Sequence, residues 1–369
     1  MKRAQLSIQF NWIFVLIVGS TILAAILAFT FSVEDTSDQR IAIQLAQQFE
    51  TIFTSTLQQP GTGKEYQSPP LDLTFVCDYE QDLYHYEVDG VVARQTQYDL
   101  IASSDELSTS RLRTFALEWN VPYPIDTFLY LTTPQEEFVF YTPTSETPSS
   151  NIQRLLDVFP DNFTQRVVFN DDVPALADAN NDRVILIHVV NDLNNPSSLL
   201  DSDALEGVDN VHAVVIDPGE DGLFRSGEVL FLDGTTYEDY ADGSLPANSM
   251  EEQTERYIGE AALFAALFTE NQDSYRCLMS KATDRLNMVT QILLKQLDAM
   301  EEDIDGDCKE YLLGSDLTPN SVKRYLEDIN SSSRSGYSSG DYATIFTSTR
   351  SIETRHQQII LEQQCPLLY

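Results

Sequence analysis

From Phe10 to Phe31 the chain runs for 22 residues without a charge. Wound as one helix at 1.5 Å per residue, that run measures roughly 33 Å, against a bilayer hydrocarbon core of about 30 Å. A secretory apolar region is shorter, about 7–15 residues, and ends at a small-residue cleavage site. Here Ser32, Val33, Glu34 and Asp35 follow, with no Ala-x-Ala. The run therefore predicts an uncleaved transmembrane helix over 10–32, with the lipid bilayer as its partner. Lys2 and Arg3 flank one end, and Glu34, Asp35 and Asp38 the other. By the positive-inside rule this is a single-pass cell-membrane protein, N-terminus cytoplasmic and the bulk of the chain extracytoplasmic.

The residues before the run, "RAQLSIQF", add a pattern. A basic and a small residue, Arg3 and Ala4, precede Gln5, Ser7, Gln9 and Phe10. The segment resembles the class III, type IV pilin-like signal of archaeal surface proteins, which reads Gln-x-Ser-x-Glu-Phe before the apolar helix. The resemblance implies a 1–9 leader cut between Ala4 and Gln5, and self-association through the N-terminal helix or contact with other envelope proteins. One position departs from the pattern. Gln9 stands where the glutamate that pairs with a neighbouring subunit's amine is found. The segments "FVCDYE", "LEWNVPYPIDTFLYLT", "AALFAALFTENQDSYRC" and "QCPLLY" are similar to uncharacterised single-pass membrane proteins of small-genome, salt-adapted archaea, a likeness that carries no activity with it.

Charge is the second constraint. Against 58 Asp and Glu stand 22 Lys and Arg, a net charge of −36, and Arg outnumbers Lys by 16 to 6. Such self-repulsion works against a compact fold in dilute buffer, whereas molar salt screens it within about 3 Å. The acidity is spread along the whole chain, so it reads as adaptation to a halophile's salt. Nucleic acid is excluded as a partner, because no basic face exists to neutralise phosphates. With 42% apolar residues the chain can bury a sizeable core.

After the run, Ile41, Leu45, Phe49, Ile52 and Phe53 keep helical spacing, which predicts a stalk helix over 33–58. "QQPGTGKEYQSPP" has linker composition and assigns a linker to 59–70. Short strands such as "LDLTFVC", "LYHYEV" and "RQTQYDLIA" make 71–135 a β-rich region. From 136 to 249, "EFVFYT", "QRVVF", "RVILIHVV", "VHAVVID" and "GEVLFLD" predict strands, with helices near 150–159, 173–179 and 197–205. Continuous apolar strands alternating with helices argue for a small parallel sheet covered on both faces. From 250 to 369 the spacing is helical, in "EEQTERYIGEAALFAALF" and in the long stretch from Asp273 to Asp303. The expected fold is α+β: one N-terminal transmembrane helix, a mixed β and small parallel α/β ectodomain, and a helical C-terminal subdomain.

Four cysteines, Cys77, Cys277, Cys308 and Cys365, follow the apolar run, and an even number in an oxidising compartment favours two disulfides among three pairings. If helices near 275–303, 308–330 and 343–363 run down, up and down, Cys308 and Cys365 share an end. That leaves Cys77 with Cys277. Asn162 and Asn330 head glycosylation triplets.

The search for chemistry is mostly negative. G-x-S-x-G, H-E-x-x-H, S-x-x-K, Walker A and G-x-G-x-x-G are all missing from the sequence. Of four histidines, His188 and His212 fall within predicted strands, where a packed core histidine is the default. In "VLFLDGTT" Phe231 occupies the place that a haloacid-dehalogenase nucleophile would need, so that reading is rejected. Ligands in open parallel sheets collect beyond the carboxyl ends of strands. Asp192, Asp217 and Asp221 fall there, where their oxygens could hold Ca²⁺ or Mg²⁺. "DIDGD" at 303–307 also suggests Ca²⁺, with its glycine at the wrong loop position. The expectation is a non-enzymatic binding or structural envelope protein. The alternative is an extracytoplasmic metal-dependent hydrolase at the carboxyl edge.

Overall fold

Two six-stranded sheets share one core around a helix that is apolar on every side. The computed structural model describes residues 16–24, 43–78, 83–95, 100–143, 147–169, 183–194, 210–220, 222–302, 304, 306–314, 320–334 and 339–362. The first sheet contains β1 (Lys64–Asp78), β2 (Leu83–Val88), β3 (Val91–Gln95), β4 (Leu100–Ala102), β5 (Glu106–Asn120) and β6 (Pro124–Thr132). Its spatial order is β3-β2-β1-β5-β6-β4, antiparallel except where β4 meets β6. The second contains β7 (Glu136–Thr142), β8 (Gln165–Phe169), β9 (Arg183–Val189), β10 (Val211–Asp217), β11 (Ser226–Asp233) and β12 (Thr254–Ile258), in the order β12-β11-β10-β9-β7-β8. Strands β8, β7, β9 and β10 are parallel, and β11 and β12 close that side antiparallel.

The inner strands β7, β9 and β10 are largely continuous apolar runs because both faces are buried. Ile185, Ile187, Val214 and Ile216 point into the core shared with the first sheet. Leu186, Ala213, Val215 and Leu232 point the other way, under α3 (Gly234–Ala241). Between the sheets lies α5 (Glu260–Phe268), with Ala261 to Phe268 all buried. Phe264 packs on Phe115 of the first sheet, and Phe268 lies 4.9 Å from Phe138 of the second, ring to ring. A nine-residue helix buried all round belongs to a protein core. The helices α2 (Ser150–Val158), α4 (Ala247–Gln253), α6 (Gln272–Met300), α7 (Asp307–Leu313), α8 (Val322–Arg334) and α9 (Ser339–Glu362) complete the molecule.

Several expectations are corrected. Among the described residues no helix is long and apolar enough to cross a membrane. That finding overturns the transmembrane helix over 10–32 and, with it, the single-pass cell-membrane placement and its orientation. Within that span the described residues are 16–24, a nine-residue helix with exposed side chains. The leader residues Arg3, Ala4, Gln5, Ser7 and Gln9 lie outside the described residues.

The predicted stalk is no free stalk. Helix α1 (43–57) lays Leu45, Phe49 and Phe53 on the outer face of the first sheet, where all three are buried. Phe53 meets Tyr86 edge to face at 6.0 Å, and Thr56 hydrogen-bonds Thr114 at 2.9 Å. An apolar face already covered by its own chain cannot serve as an assembly face. The predicted linker is also shorter, since β1 begins at Lys64. Pro69 and Pro70 cannot donate to the ladder, and the register shifts between Gln67 and Leu71, a bulge that carries them inside a strand.

The expected unbroken helical stretch from Glu251 to Phe268 is interrupted. Thr254–Ile258 is an edge strand on β11, and Gly259, at φ 85°, turns the chain into α5. Glu255 and Tyr257 are buried at every second position, the period of a strand. The helices expected near 173–179 and 197–205 fall outside the described residues.

Candidate functional site

The second sheet has a polar end and an aromatic end. At the amino end, Glu136 heads β7, Arg183 heads β9 and His212 sits second in β10. Glu136 accepts from Ser104 Oγ, from Thr132 Oγ1 at 2.6 Å and from Arg183 at 3.2 Å. The same guanidinium pairs with Glu270, whose Oε2 also accepts from the Asp105 amide at 3.2 Å. Asp105 in turn accepts from Asn271 at 2.8 Å and from Ser274 at 2.6 Å. A cleft of about 470 Å³ opens over these groups.

Among the described residues Arg183 is the one cation lining this cleft, against the carboxylates of Asp105, Glu106, Glu136 and Glu270. Burial works against the Arg183 cation, yet Glu136 and Glu270 hold its pKa above the ordinary value. Burial likewise opposes the Glu270 anion, but the hydrogen bond and charge of Arg183 lower its pKa. His212 Nε2 lies 3.4 Å from Arg183 and 3.6 Å from Glu270. A guanidinium can only donate, so this nitrogen accepts and the imidazole is neutral. Its pKa is lowered accordingly, first by burial and then by Arg183. A general base needs an uncommitted lone pair near a substrate proton. Here Glu136, Glu270 and Asp105 are spent on fixed partners, and the cluster acts as a clamp between the two sheets and the α5–α6 junction. Sequence reasoning missed it because its members are scattered from Ser104 to Ser274. The one local signal was a charged residue heading a buried strand.

At the carboxyl end stand two of the predicted cation ligands, Asp192 and Asp217, and the charges of both reach the Tyr240 phenol. Asp192 Oδ1 accepts from the Asn194 amide at 2.9 Å, and Asp217 Oδ1 from the Gly219 amide at 2.9 Å, each closing its own turn. Asp221 lies outside the described residues, as do Asp303 and Asp305 of the DIDGD stretch. Among the described residues no group of three His, Cys, Asp or Glu could hold a metal ion. Beneath this edge His188 is sealed, its Nε2 3.1 Å from the Tyr237 hydroxyl and its ring 4.9 Å from that of Tyr141. Burial drives its pKa down to about 3, so it is neutral at any physiological pH.

The same edge carries a cavity of about 310 Å³ where β11 and β12 meet α9. Tyr257, Ile258, Tyr342 and Phe346 supply apolar wall, and Ala343 lines it from an exposed helix position. Polar lining comes from Asp217, Ser226 and the half-exposed pair Arg256–Glu228, 3.0 Å apart. The Tyr257 hydroxyl donates to the Leu223 carbonyl at 2.9 Å. Gly227 makes this arrangement possible. A Cβ there would stand 2.3 Å from the Asp217 carbonyl oxygen and 2.5 Å from the Tyr257 hydroxyl. Burial raises the pKa of the Tyr257 phenol, and the Asp217 charge raises it further, which sets that carboxylate close to the ring.

The remaining predicted residues have structural settings. Cys77 of β1 and Cys277 of α6 are disulfide-bonded, Cα atoms 6.3 Å apart, tying the first sheet to the helices. Cys308 is also in a disulfide, and Cys365 lies outside the described residues. The Asn162 amide oxygen lies where a Cβ on Gly63 would stand, so that side chain is packed against backbone. Asn330 is held in the α6–α8 seam, where Asn287 Nδ2 donates to its backbone carbonyl at 3.0 Å and its side-chain oxygen at 3.3 Å. The chain matches no family model, no curated protein and no solved structure.

Proposed function

We propose that this chain is a non-enzymatic binding protein working in high salt, which holds a small, largely apolar ligand in the cavity between β11, β12 and α9. The observation that carries the reading is the cavity itself: some 310 Å³ with aromatic walls and a few polar groups, at the edge of a rigid sheet. Ligand sites are typically apolar concavities with a small number of orienting polar groups. The acidic excess, 58 residues against 22, fits a chain that stays soluble in molar salt. His188 and His212, in the second sheet, are committed to internal partners, which argues against acid–base catalysis by either.

Thermal unfolding of the full chain in molar KCl, with and without indole or phenol, tests this. Saturable stabilisation is expected, about 2.7 kcal/mol at a hundredfold excess over Kd. It should disappear in Ala343→Trp, which plugs the cavity from an exposed position. No stabilisation by either compound, or equal stabilisation of the plugged variant, overturns the proposal.

A further inference from the structure

We infer that the ligand of this cavity is an aromatic amine, its ring against Tyr257, Tyr342 and Phe346 and its ammonium beside Asp217. The inference rests on the binding reading above and adds the charge of the ligand. Four apolar side chains wall the space, three of them aromatic, so a planar ring fits it better than a flexible chain. The polar lining then decides what the ring carries. Arg256 is the cation of this wall, and its Nε is already engaged by Glu228 at 3.0 Å. A ligand carboxylate would have to compete with that glutamate.

Asp217 is placed differently. One oxygen closes the turn to Gly219, and the other takes no hydrogen bond among the described residues. Its charge also reaches Tyr257 in the wall and Tyr240 behind it. Asp217, Glu228 and Arg256 together leave one negative charge uncompensated. An ammonium would neutralise that charge, donate to the free oxygen and lie against ring faces that attract cations. Asp217→Asn removes the charge yet keeps an oxygen to accept from Gly219, so the turn survives the substitution.

Isothermal titration of the full chain with tryptamine, indole and indole-3-acetate separates the two claims. The expected order of affinity is tryptamine, then indole, then indole-3-acetate, with about tenfold between the cation and the neutral ring, or some 1.4 kcal/mol. In Asp217→Asn, tryptamine should fall to the affinity of indole while indole itself is unchanged. If none of the three binds the wild-type chain, the binding reading falls and this inference with it. If indole binds but tryptamine binds no tighter, or keeps its advantage in Asp217→Asn, the cavity stands and the amine is wrong.

Discussion

The two ends of the second sheet are built from the same strands and have opposite chemistry. At the amino end, Glu136, Arg183, His212 and Glu270 hold one another, beneath a cleft that Glu106 and Gln135 also line. At the carboxyl end, Tyr257, Tyr342 and Phe346 surround a space in which Asp217 keeps an uncommitted oxygen. Charge density marks where the sheets are locked together, and a modest excess of apolar wall marks where a guest can enter.

The contrast is tested most severely at Arg183. Arg183→Met leaves buried Glu136 and partly exposed Glu270 without their cation, and removing one member of a buried pair costs about 3–5 kcal/mol. Guanidinium chloride unfolding should show that loss, and adding Glu136→Gln and Glu270→Gln should recover part of it. If Arg183→Met unfolds like wild type, the amino end is no clamp.

Acid comes next. An unfolded imidazole, with pKa about 6.5, takes up a proton that buried His188 refuses until about pH 3. Between those values the unfolded state binds more protons, so stability falls as pH drops and is level above 6.5. The full fall is on the order of 5 kcal/mol. It should be flattened in His188→Phe when urea midpoints are compared across that window.

Gly227→Ala forces a Cβ onto Tyr257 and the Asp217 carbonyl, an overpacking worth about 1–3 kcal/mol, read as a drop in Tm. Smallest of all should be Ala343→Trp and Asp217→Asn. Each is expected to move folding stability by less than about 0.5 kcal/mol while changing ligand affinity. Substitutions at one end would then break the fold and those at the other only the binding. A carboxyl-end variant that unfolds the protein would dissolve the comparison.

What could be read from sequence follows the same division. "EFVFYT", "QRVVF", "RVILIHVV", "VHAVVID" and "GEVLFLD" are β7 to β11, and β7, β9 and β10 are the most legible because strands buried on both faces leave little room for polar residues. Strand β12 was hidden inside a helical pattern, since five residues of an edge strand carry too few alternations to outweigh their neighbours. The apolar stripe of α1 was visible, but a stripe does not say what covers it, and Leu45, Phe49 and Phe53 turned out to be covered by the chain's own sheet. The run from Phe10 to Phe31 suggested a membrane span on length alone, and among the described residues no helix is long and apolar enough to cross one. The candidate site was half legible. Asp217 was found by topology, whereas its aromatic companions Tyr342 and Phe346 come from a helix more than a hundred residues later, a distance no local pattern bridges.

The position of α5 has a consequence for how the molecule comes apart. Its side chains complete the cores of both sheets at once, so neither sheet retains a finished interior if the other is lost. Two regions that look separable by strand order should therefore melt as one cooperative unit. Either half expressed alone, with or without α5, would present a row of bare aromatic rings to solvent and collect as aggregate instead of folding.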